Sequence, residues 1–435
     1  MPFAALPILA EIIPDPTPWM MLPFAAMLLC IALLPIFLKH HWEQHYHRIS
    51  IGLGLISVGY YVFALHAPGR LLDVAHDYLS FIALISSLYV VAGGIHIRVS
   101  GGESKPWMNC VFLIIGAVLA NIIGTTGASM LLIRPWIRMN KYRFTSLHTA
   151  FFIFIISNVA GSLTPIGDPP LFLGYLQGVP FWWMMENCWK QWLFALSALL
   201  AIFYFLDRLN FLKAPRKIRE METAQDEVWK IEGLHNLFFL ALILGAVFVS
   251  KPAGLREVLM FAAAAGSYFT TKKTVHAAND FSFAPIKEVS WLFAGIFATM
   301  VPALDYLQHH AGSIGIREPV HFFWCTGLLS GLLDNAPTYL AFLATAFGLH
   351  GLTLGNPAHM AQFQTQHGSW LAAISLGSVF FGAMTYIGNG PNLMVKAIAE
   401  QAKVHTPNFF TYVFRFSLPF LVPVFVLVTL LFFRK

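Results

Sequence analysis

Two carboxylic acids, Asp168 and Asp334, interrupt parts of the sequence that are otherwise strongly apolar. Each lies in a short segment rich in Gly, Pro and hydroxyl side chains, SNVAGSLTPIGDPP (157–170) and SGLLDNAPT (330–338). A carboxylate within an apolar span is expensive to bury and is therefore a functional hypothesis by default. Such a group can hold a proton or a sodium ion in turn, which is the elementary step of antiport. We therefore expect Asp168 and Asp334 to be the proton-coupling groups of an ion site.

The segment around Asp168 occurs a second time, as SVFFGAMTYIGNGP (378–391). Five residues recur in register: Gly161, Thr164, Ile166, Gly167 and Pro170 return as Gly382, Thr385, Ile387, Gly388 and Pro391. Both copies place a helix-breaking polar core at the end of a long apolar run. Gly/Pro-interrupted segments at corresponding positions of two halves are the best sequence pointer to a transporter binding site.

Two longer apolar stretches, 107–133 and 319–348, also carry polar turns, NIIGTTGAS (121–129) and SGLLDNAPT. We predict that both are re-entrant helical hairpins, because irregular backbone at membrane depth must be covered by protein or water. Aligning the turns pairs Thr125 with Asp334, Thr126 with Asn335 and Ser129 with Thr338. The helix breaks pair Thr164 with Thr385 and Asp168 with Asn389.

These ten residues form the predicted ion and substrate site: Thr125, Thr126, Ser129, Thr164, Asp168, Asp334, Asn335, Thr338, Thr385 and Asn389. Unwound carbonyls, hydroxyls and half-helix ends suit a small cation. The expected sodium ligands are Thr125, Thr164, Asp334, Asn335 and Thr385. The alternative for each hydroxyl is that it only satisfies backbone groups freed by Gly and Pro.

Composition indicates an all-α polytopic membrane protein. The chain is 57% hydrophobic and 11% charged, against about 25% charged for soluble proteins. Apolar runs near 20 residues recur, the length that crosses a bilayer. The net charge of +6 lies in short loops and indicates topology rather than nucleic-acid binding. With no hydrolase, zinc or nucleotide-binding motif, we expect no catalytic residue and no cofactor, only transported Na⁺ and H⁺.

Ten spans are expected, near 19–38, 50–66, 78–97, 145–164, 189–206, 233–250, 254–270, 288–304, 371–386 and 411–433. The loops at 175–188 and 349–370 hold no Lys or Arg, so they are predicted to be external. After an N-terminal lead-in (1–18), 19–206 forms the first repeat, with its hairpin at 107–133 and its helix break at 164–170. A cytoplasmic, helical linker (207–232) precedes the second repeat (233–435), with its hairpin at 319–348 and its break at 385–391. Five spans per half is an odd number, so the two repeats must have inverted topology.

The segments NIIGTTGASMLLIRP, SNVAGSLTPIGDPPLF, LLDNAPTYLAF and TYIGNGPN together resemble the ion transporter superfamily. The resemblance covers nearly the whole chain from about residue 20 and is closest to NhaD-type sodium:proton antiporters and citrate transporters of bacteria. It implies inverted repeats, sites between hairpin tip and helix break, a scaffold that often dimerises, and a multi-pass protein of the inner (cytoplasmic) membrane. One departure is that no Ser-Asn-Thr signature of dicarboxylate carriers occurs at either hairpin tip.

Three functions remain open from the sequence. The first is a secondary transporter that exchanges Na⁺ (or Li⁺) for H⁺ by alternating access, which two membrane carboxylates and the absence of arginine at either site favour. The second is a Na⁺-coupled citrate or dicarboxylate carrier, because half-helix N-termini can hold carboxylates without arginine. The third and least favoured is a channel. In every case the partners are the lipid bilayer and a small ion or organic anion, with no nucleic acid.

Overall fold

The computed structural model describes residues 14–100, 105–213, 215 and 228–434. Within these residues the chain is mostly helical, and six helices are long and apolar enough to cross a bilayer. They are Pro18–Pro35, Pro68–Gly93, Pro106–Met139, Trp183–Lys213, Ala284–His309 and Phe409–Phe433. The predicted class, an all-α polytopic membrane protein, is confirmed at this level.

The first half of the described chain forms seven α-helices and a short strand. They are α1 (Leu22–Phe37), α2 (Lys39–Gly59), α3 (Pro68–Gly93), β1 (His96–Ser100), α4 (Pro106–Met139), α5 (Ser146–Ile155), α6 (Pro169–Leu176) and α7 (Trp183–Lys213). Three of these helices begin at a proline, which fits the first turn because its missing N–H would have no helical partner there.

The second half follows a similar order. Its elements are β2 (Val228–Glu232), α8 (Asn236–Val247), α9 (Leu255–Thr270), α10 (Lys273–Ala278), α11 (Ala284–His309), α12 (Pro319–Leu332), α13 (Asn335–Leu349), α14 (Pro357–Gln366), α15 (Gly368–Phe381), α16 (Gly390–Gln401) and α17 (Phe409–Phe433). Helices α2 and α11 pack together, as do α3 and α9, which joins the two halves.

Helix α4 doubles back on itself and is a hairpin. The reversal occurs at Gly124, whose φ of 75° is easily reached only by glycine. Asn109 Nδ2 donates to Asn140 Oδ1 over 2.8 Å, and the rings of Phe112 and Trp136 stack with centroids 5.4 Å apart. The hairpin therefore extends to residue 139, six residues beyond the predicted end at 133.

The second hairpin consists of α12 and α13, joined by the two residues 333–334. The rings of Phe322 and Phe342, one on each arm, meet edge to face at 6.2 Å. Its bounds, 319–349, match the predicted 319–348. Hairpin α4 packs on α16, and α13 packs on α6, so each hairpin contacts a helix that follows the break of the other half.

Both predicted helix breaks are present, but each begins earlier than expected. Helix α5 ends at Ile155 and α6 begins at Pro169, whereas α15 ends at Phe381 and α16 begins at Gly390. The first break starts where the Asn158 side chain donates to the carbonyl of Ile153 at 2.9 Å, competing with the helical ladder.

Each break folds back on itself at a pair of glycines. A methyl group on Gly167 would collide with the carbonyl oxygen of Gly161, and one on Gly388 would lie 2.7 Å from that of Gly382. The recurrence of these glycines in the sequence therefore reflects two loops that close through the same backbone contact.

The predicted helical linker is helical in one of its described parts and wrong in another. Residues 207–213 form the last turns of α7, whereas 228–232 form strand β2, which pairs antiparallel with β1. Polar and apolar residues alternate over Lys230, Ile231 and Glu232, which suits a strand because successive side chains point to opposite faces. The rest of the linker (214, 216–227) and residues 1–13 of the lead-in lie outside the described residues.

Candidate substrate and ion site

The carboxylate of Asp168 forms the centre of the candidate site and accepts hydrogen bonds from three other segments. The residue is 1% exposed. Oδ1 accepts from Thr125 Oγ1 at 2.6 Å and from Asn389 Nδ2 at 2.9 Å, and Oδ2 accepts from Asn335 Nδ2 at 2.5 Å. The two hairpin tips and the two helix breaks thus each contribute one predicted residue to a single contact.

Four helix N-termini meet around this carboxylate. Thr125 begins the second arm of α4, and Asp168, Asp334 and Asn389 occupy the N-cap positions of α6, α13 and α16. The first turns of helices present unpaired N–H groups and a positive dipole end, which favour an anion. A carboxylate is therefore the electrostatically suited occupant of the centre, and Asp168 supplies it.

A chain of three asparagines fixes which atom Asn389 presents to the centre. Asn392 Nδ2 donates to two backbone carbonyls of the second break, at 2.8 and 2.9 Å. Its oxygen is therefore left to accept from Asn158 Nδ2 at 2.8 Å, and the oxygen of Asn158 accepts from Asn389 Nδ2 at 3.2 Å. Because each amide has one donating and one accepting end, Asn389 can only donate to Asp168.

Sequence reasoning missed Asn158 and Asn392, and both are fully buried. The available signal was an amide in an apolar stretch directly beside each break motif, in SNVAG and GPNLM. Ser129, which was predicted, lies nearby, and its hydroxyl is 2.8 Å from the hydroxyl of Ser157. It supports the first break and makes no described contact with Asp168.

Thr164 and Thr385 fasten the breaks to the hairpins. Thr164 Oγ1 donates to the carbonyl of Asn121 at 2.6 Å, and Thr385 Oγ1 donates to that of Gly331 at 2.7 Å. Each hydroxyl also accepts a backbone N–H of its own break, at 3.1 Å from Gly167 and at 3.2 Å from Gly388. Both predicted ligands are thus engaged with backbone groups, as the alternative interpretation of these hydroxyls expected.

These two contacts also correct the predicted pairing of the hairpin tips. Asn121 and Gly331 are equivalent by their bonds to the break threonines, so the residues four positions later, Thr125 and Asn335, are equivalent too. Both donate to Asp168. The predicted pairs Thr125/Asp334, Thr126/Asn335 and Ser129/Thr338 are therefore shifted by one residue, and Asp334 corresponds to the turn glycine.

Asp334 and Thr338 contribute to the helix end rather than to the contact at Asp168. Asp334 Oδ1 accepts from the backbone N–H of Ala336 at 3.0 Å as an N-cap. Thr338 Oγ1 donates to the carbonyl of Asp334 at 2.8 Å. Of the five predicted sodium ligands, only Thr125 and Asn335 bond to Asp168.

A small cavity adjoins Asp168. Its volume is about 30 Å³, and Thr125, Thr126, Leu84 and Leu88 are among its lining residues. A water molecule needs about 10–15 Å³ of such space, so the cavity has room for about two. A larger cavity of about 450 Å³ lies beyond Thr164 and is lined almost entirely by apolar side chains. Of these two cavities, the one beside Asp168 is therefore the one that offers a carboxylate to an ion.

The six apolar helices of the described residues that are long enough to cross a bilayer, together with the two helix breaks that meet at a buried carboxylate, are typical of a membrane transport protein. Residues 15–433 match the protein family described as "Putative citrate transport". The chain belongs to that family, and it is a transporter rather than an enzyme. Its substrate is a small molecule, and the bilayer is its surroundings.

Two curated relatives agree with this class. They are uncharacterized transporters of Mycobacterium bovis and Mycobacterium tuberculosis, each 25% identical over 319 residues. The matched region covers 69% of this chain and 71% of each relative.

Proposed function

We propose that this protein is a secondary transporter that carries citrate, or a similar small carboxylate, across the cytoplasmic membrane together with a coupling cation. The observation that carries the proposal is the donor set at the centre: two amide N–H groups and one hydroxyl converge on a carboxylate. The family description points to the same class of substrate. Helix N-termini take the place of the arginine that soluble carboxylate sites often use.

The coupling follows from the fact that Asp168 already occupies these donors. A substrate carboxylate competes with it, because two ionised carboxylates cannot share one buried site. When a proton from water binds Asp168, the neutral acid releases its hydrogen bonds, and Thr125, Asn335 and Asn389 turn to the substrate. Loss of that proton on the other side returns the donors to Asp168 and expels the substrate. One proton thus accompanies each carboxylate bound.

Two inverted repeats, 19–206 and 233–435, would give this site alternating access. What supports them is that each half has a hairpin, a helix break and a threonine that joins the two in the same way. With the expected orientation, the hairpins approach from opposite faces. Either face can then open to the same central carboxylate while the other stays closed.

Na⁺(Li⁺)/H⁺ antiport is the second candidate. The small cavity favours it, since about 30 Å³ beside Asp168 and Thr126 suits a small ion better than citrate. In this scheme Asp168 holds a sodium ion or a proton alternately, with Asp334 one residue from Asn335 adding negative charge to the site. The hydrogen-bond donors around Asp168 then need not turn from its carboxylate to a substrate.

Transport in proteoliposomes separates the two candidates. Purified protein would be given labelled citrate under an inward proton gradient, and separately Na⁺ or Li⁺ with a pH-sensitive dye in the lumen. Citrate accumulation that a protonophore abolishes, and that fails in Asp168→Asn but persists in Asp334→Asn, supports the carboxylate carrier. Lumenal alkalinisation by Na⁺ or Li⁺ without citrate uptake would refute it and establish antiport.

A further inference from the structure

One face of helix α3 leads from its N-terminal end to the cavity beside Asp168. Asp73, Asp77, Ser80, Leu84 and Leu88 follow one another at intervals of three or four residues, the spacing that places side chains on one face of a helix. Asp73 is exposed, Asp77 is half-buried and Ser80 is buried. Leu84 and Leu88 line the small cavity. The face thus carries acids at the aqueous end and reaches the site at the other.

Asp77 has an amide as its direct partner. Its Oδ2 accepts from Gln177 Nε2 at 2.9 Å. The charged groups that act on it are Arg70 and Asp73 from α3 and Arg256 from α9. Across the described residues Asp77 forms no ion pair.

Arg70 and Arg256 each form an ion pair with an acid other than Asp77. Arg70 bonds Asp305 of α11 at 2.9 Å, and Tyr61 donates to the same carboxylate at 2.7 Å. Arg256 bonds Glu257 at 3.0 Å. Asp77 is therefore an acid within a membrane helix whose charge no dedicated cation balances, the situation in which a carboxylate takes up and releases protons.

Asp77 is also connected to the site through its partner. Gln177 is the C-cap residue of α6, and Asp168 is the N-cap of the same eight-residue helix. Along α3, Asp77 and Leu84 are seven residues apart, about 10 Å at 1.5 Å per residue. The cavity that Leu84 lines has room for about two waters. Helix α6 thus connects the partner of Asp77 to Asp168, and one face of α3 leads from Asp77 to the cavity beside Asp168.

We propose that Asp77 is a proton-binding residue that passes protons between the aqueous phase at the α3 N-terminus and Asp168. Asp77 bonds Gln177 of the loop 175–188, which is predicted to be external, so this aqueous phase is predicted to be external. The step is a proton exchange between water, the Asp77 carboxylate, cavity water and the Asp168 carboxylate, with no other bond made or broken. The inference rests on the proposed proton coupling of transport and names a residue that the central site does not contain.

The test compares two modes of citrate transport in proteoliposomes. Uptake driven by a pH gradient needs net proton movement, whereas counterflow of labelled against unlabelled citrate at equal pH does not. We expect Asp77→Asn to lose roughly tenfold or more of the gradient-driven uptake, because positioned proton-transferring groups contribute roughly 10²–10⁴-fold to rates. Counterflow should stay near the wild-type level, and Asp77→Glu should restore driven uptake. His76→Gln, an exposed neighbour on α3, is the matched control.

The outcomes distinguish this inference from the proposed function. Wild-type driven uptake in Asp77→Asn would overturn the role of Asp77 and leave the central site untouched. Loss of counterflow in both Asp77→Asn and Asp77→Glu would also overturn it, because the residue would then be structural. Absence of any proton-driven citrate uptake in the wild-type protein would instead refute the proposed function, and the inference with it.

Discussion

Replacing Asp168 by asparagine tests whether the three groups that contact its carboxylate, Thr125, Asn335 and Asn389, all donate hydrogen bonds to it. Asparagine keeps one oxygen, which can still accept from Thr125 and Asn389. Its new N–H₂ group then faces Asn335 Nδ2, which lies 2.5 Å from the oxygen it replaces. The opposite amide orientation leaves a conflict too, because it sets the N–H₂ group against Asn389 Nδ2, although the Thr125 hydroxyl can then accept from it. In either orientation, two buried N–H₂ groups therefore face each other and at least one of them loses its hydrogen-bond acceptor.

The size of the effect follows from the bonds involved. A hydrogen bond to a charged group contributes about 1.5–3 kcal/mol, and an unsatisfied buried donor costs about 1–3 kcal/mol. We expect Asp168→Asn to lower the free energy of unfolding by about 2–4 kcal/mol. The double variant Asp168→Asn/Asn335→Asp places the carboxylate on the other partner and restores an amide-to-carboxylate bond. It should recover about 1.5–3 kcal/mol relative to the sum of the single variants.

Thermal unfolding in detergent, followed by the fluorescence of the 12 tryptophans, measures these differences. For domains of about 150–250 residues, 1 kcal/mol shifts the midpoint by about 2–4 °C, so a drop of several degrees is expected. Asp334→Asn is the matched control, since Asp334 is also an N-cap and asparagine caps helices about as well as aspartate. An Asp168→Asn variant as stable as this control, or a double variant no better than additive, would refute the donor assignment.

Two further predictions concern groups away from the centre. Asp207 is buried with Arg143 at the base of the first hairpin. Asp207→Asn should lower the free energy of unfolding by about 3–5 kcal/mol, whereas Arg208→Gln, at the exposed neighbouring residue, should change the thermal midpoint little. Equal midpoints for the two variants would contradict a role for the ion pair in stability. At the end of the second hairpin, burial and the stacked His367 ring lower the pKa of His350, and burial lowers that of His367. Folding therefore stabilises the neutral pair, so the contribution of the pair to stability should be full above about pH 6.5 and should be lost as the pH falls below it. The thermal midpoint measured between about pH 5 and 8 should depend less on pH in His350→Gln than in the wild-type protein. An unchanged pH dependence in this variant would contradict the prediction.

The helix breaks were predictable because their cause is local. Gly161 and Gly167 recur as Gly382 and Gly388, and both pairs mark a loop whose backbone crosses itself. A glycine pattern of this kind is visible in the sequence since no other residue tolerates the approach. The hairpins were found for a similar reason, as apolar stretches too long for one span and interrupted by turn-forming residues.

The pairing of side chains across these elements was not predictable in the same way. Asn335 and Asp168 are 167 positions apart, so only the packing of the two halves brings them into contact. The tip alignment was shifted by one residue because the first hairpin turns at a single residue, Gly124, and nothing local shows that Asp334 takes its place. Strand β2 was missed for the same reason, since its partner β1 lies more than 100 residues earlier.

The orientation of the three asparagines Asn158, Asn389 and Asn392 favours a carboxylate over a sodium ion as the group bound next to Asn389. A sodium ion at the centre requires oxygens, so Asn389 would have to turn its carbonyl inward and its N–H₂ group outward. Its N–H₂ group already meets the oxygen of Asn158, and the turn would set two oxygens against each other unless Asn158 also turned. Asn392 resists that second turn, because two backbone carbonyls hold its N–H₂ group. Cation binding through Asn389 would thus require all three asparagine side chains to turn over, whereas a carboxylate accepts from Asn389 in its present orientation.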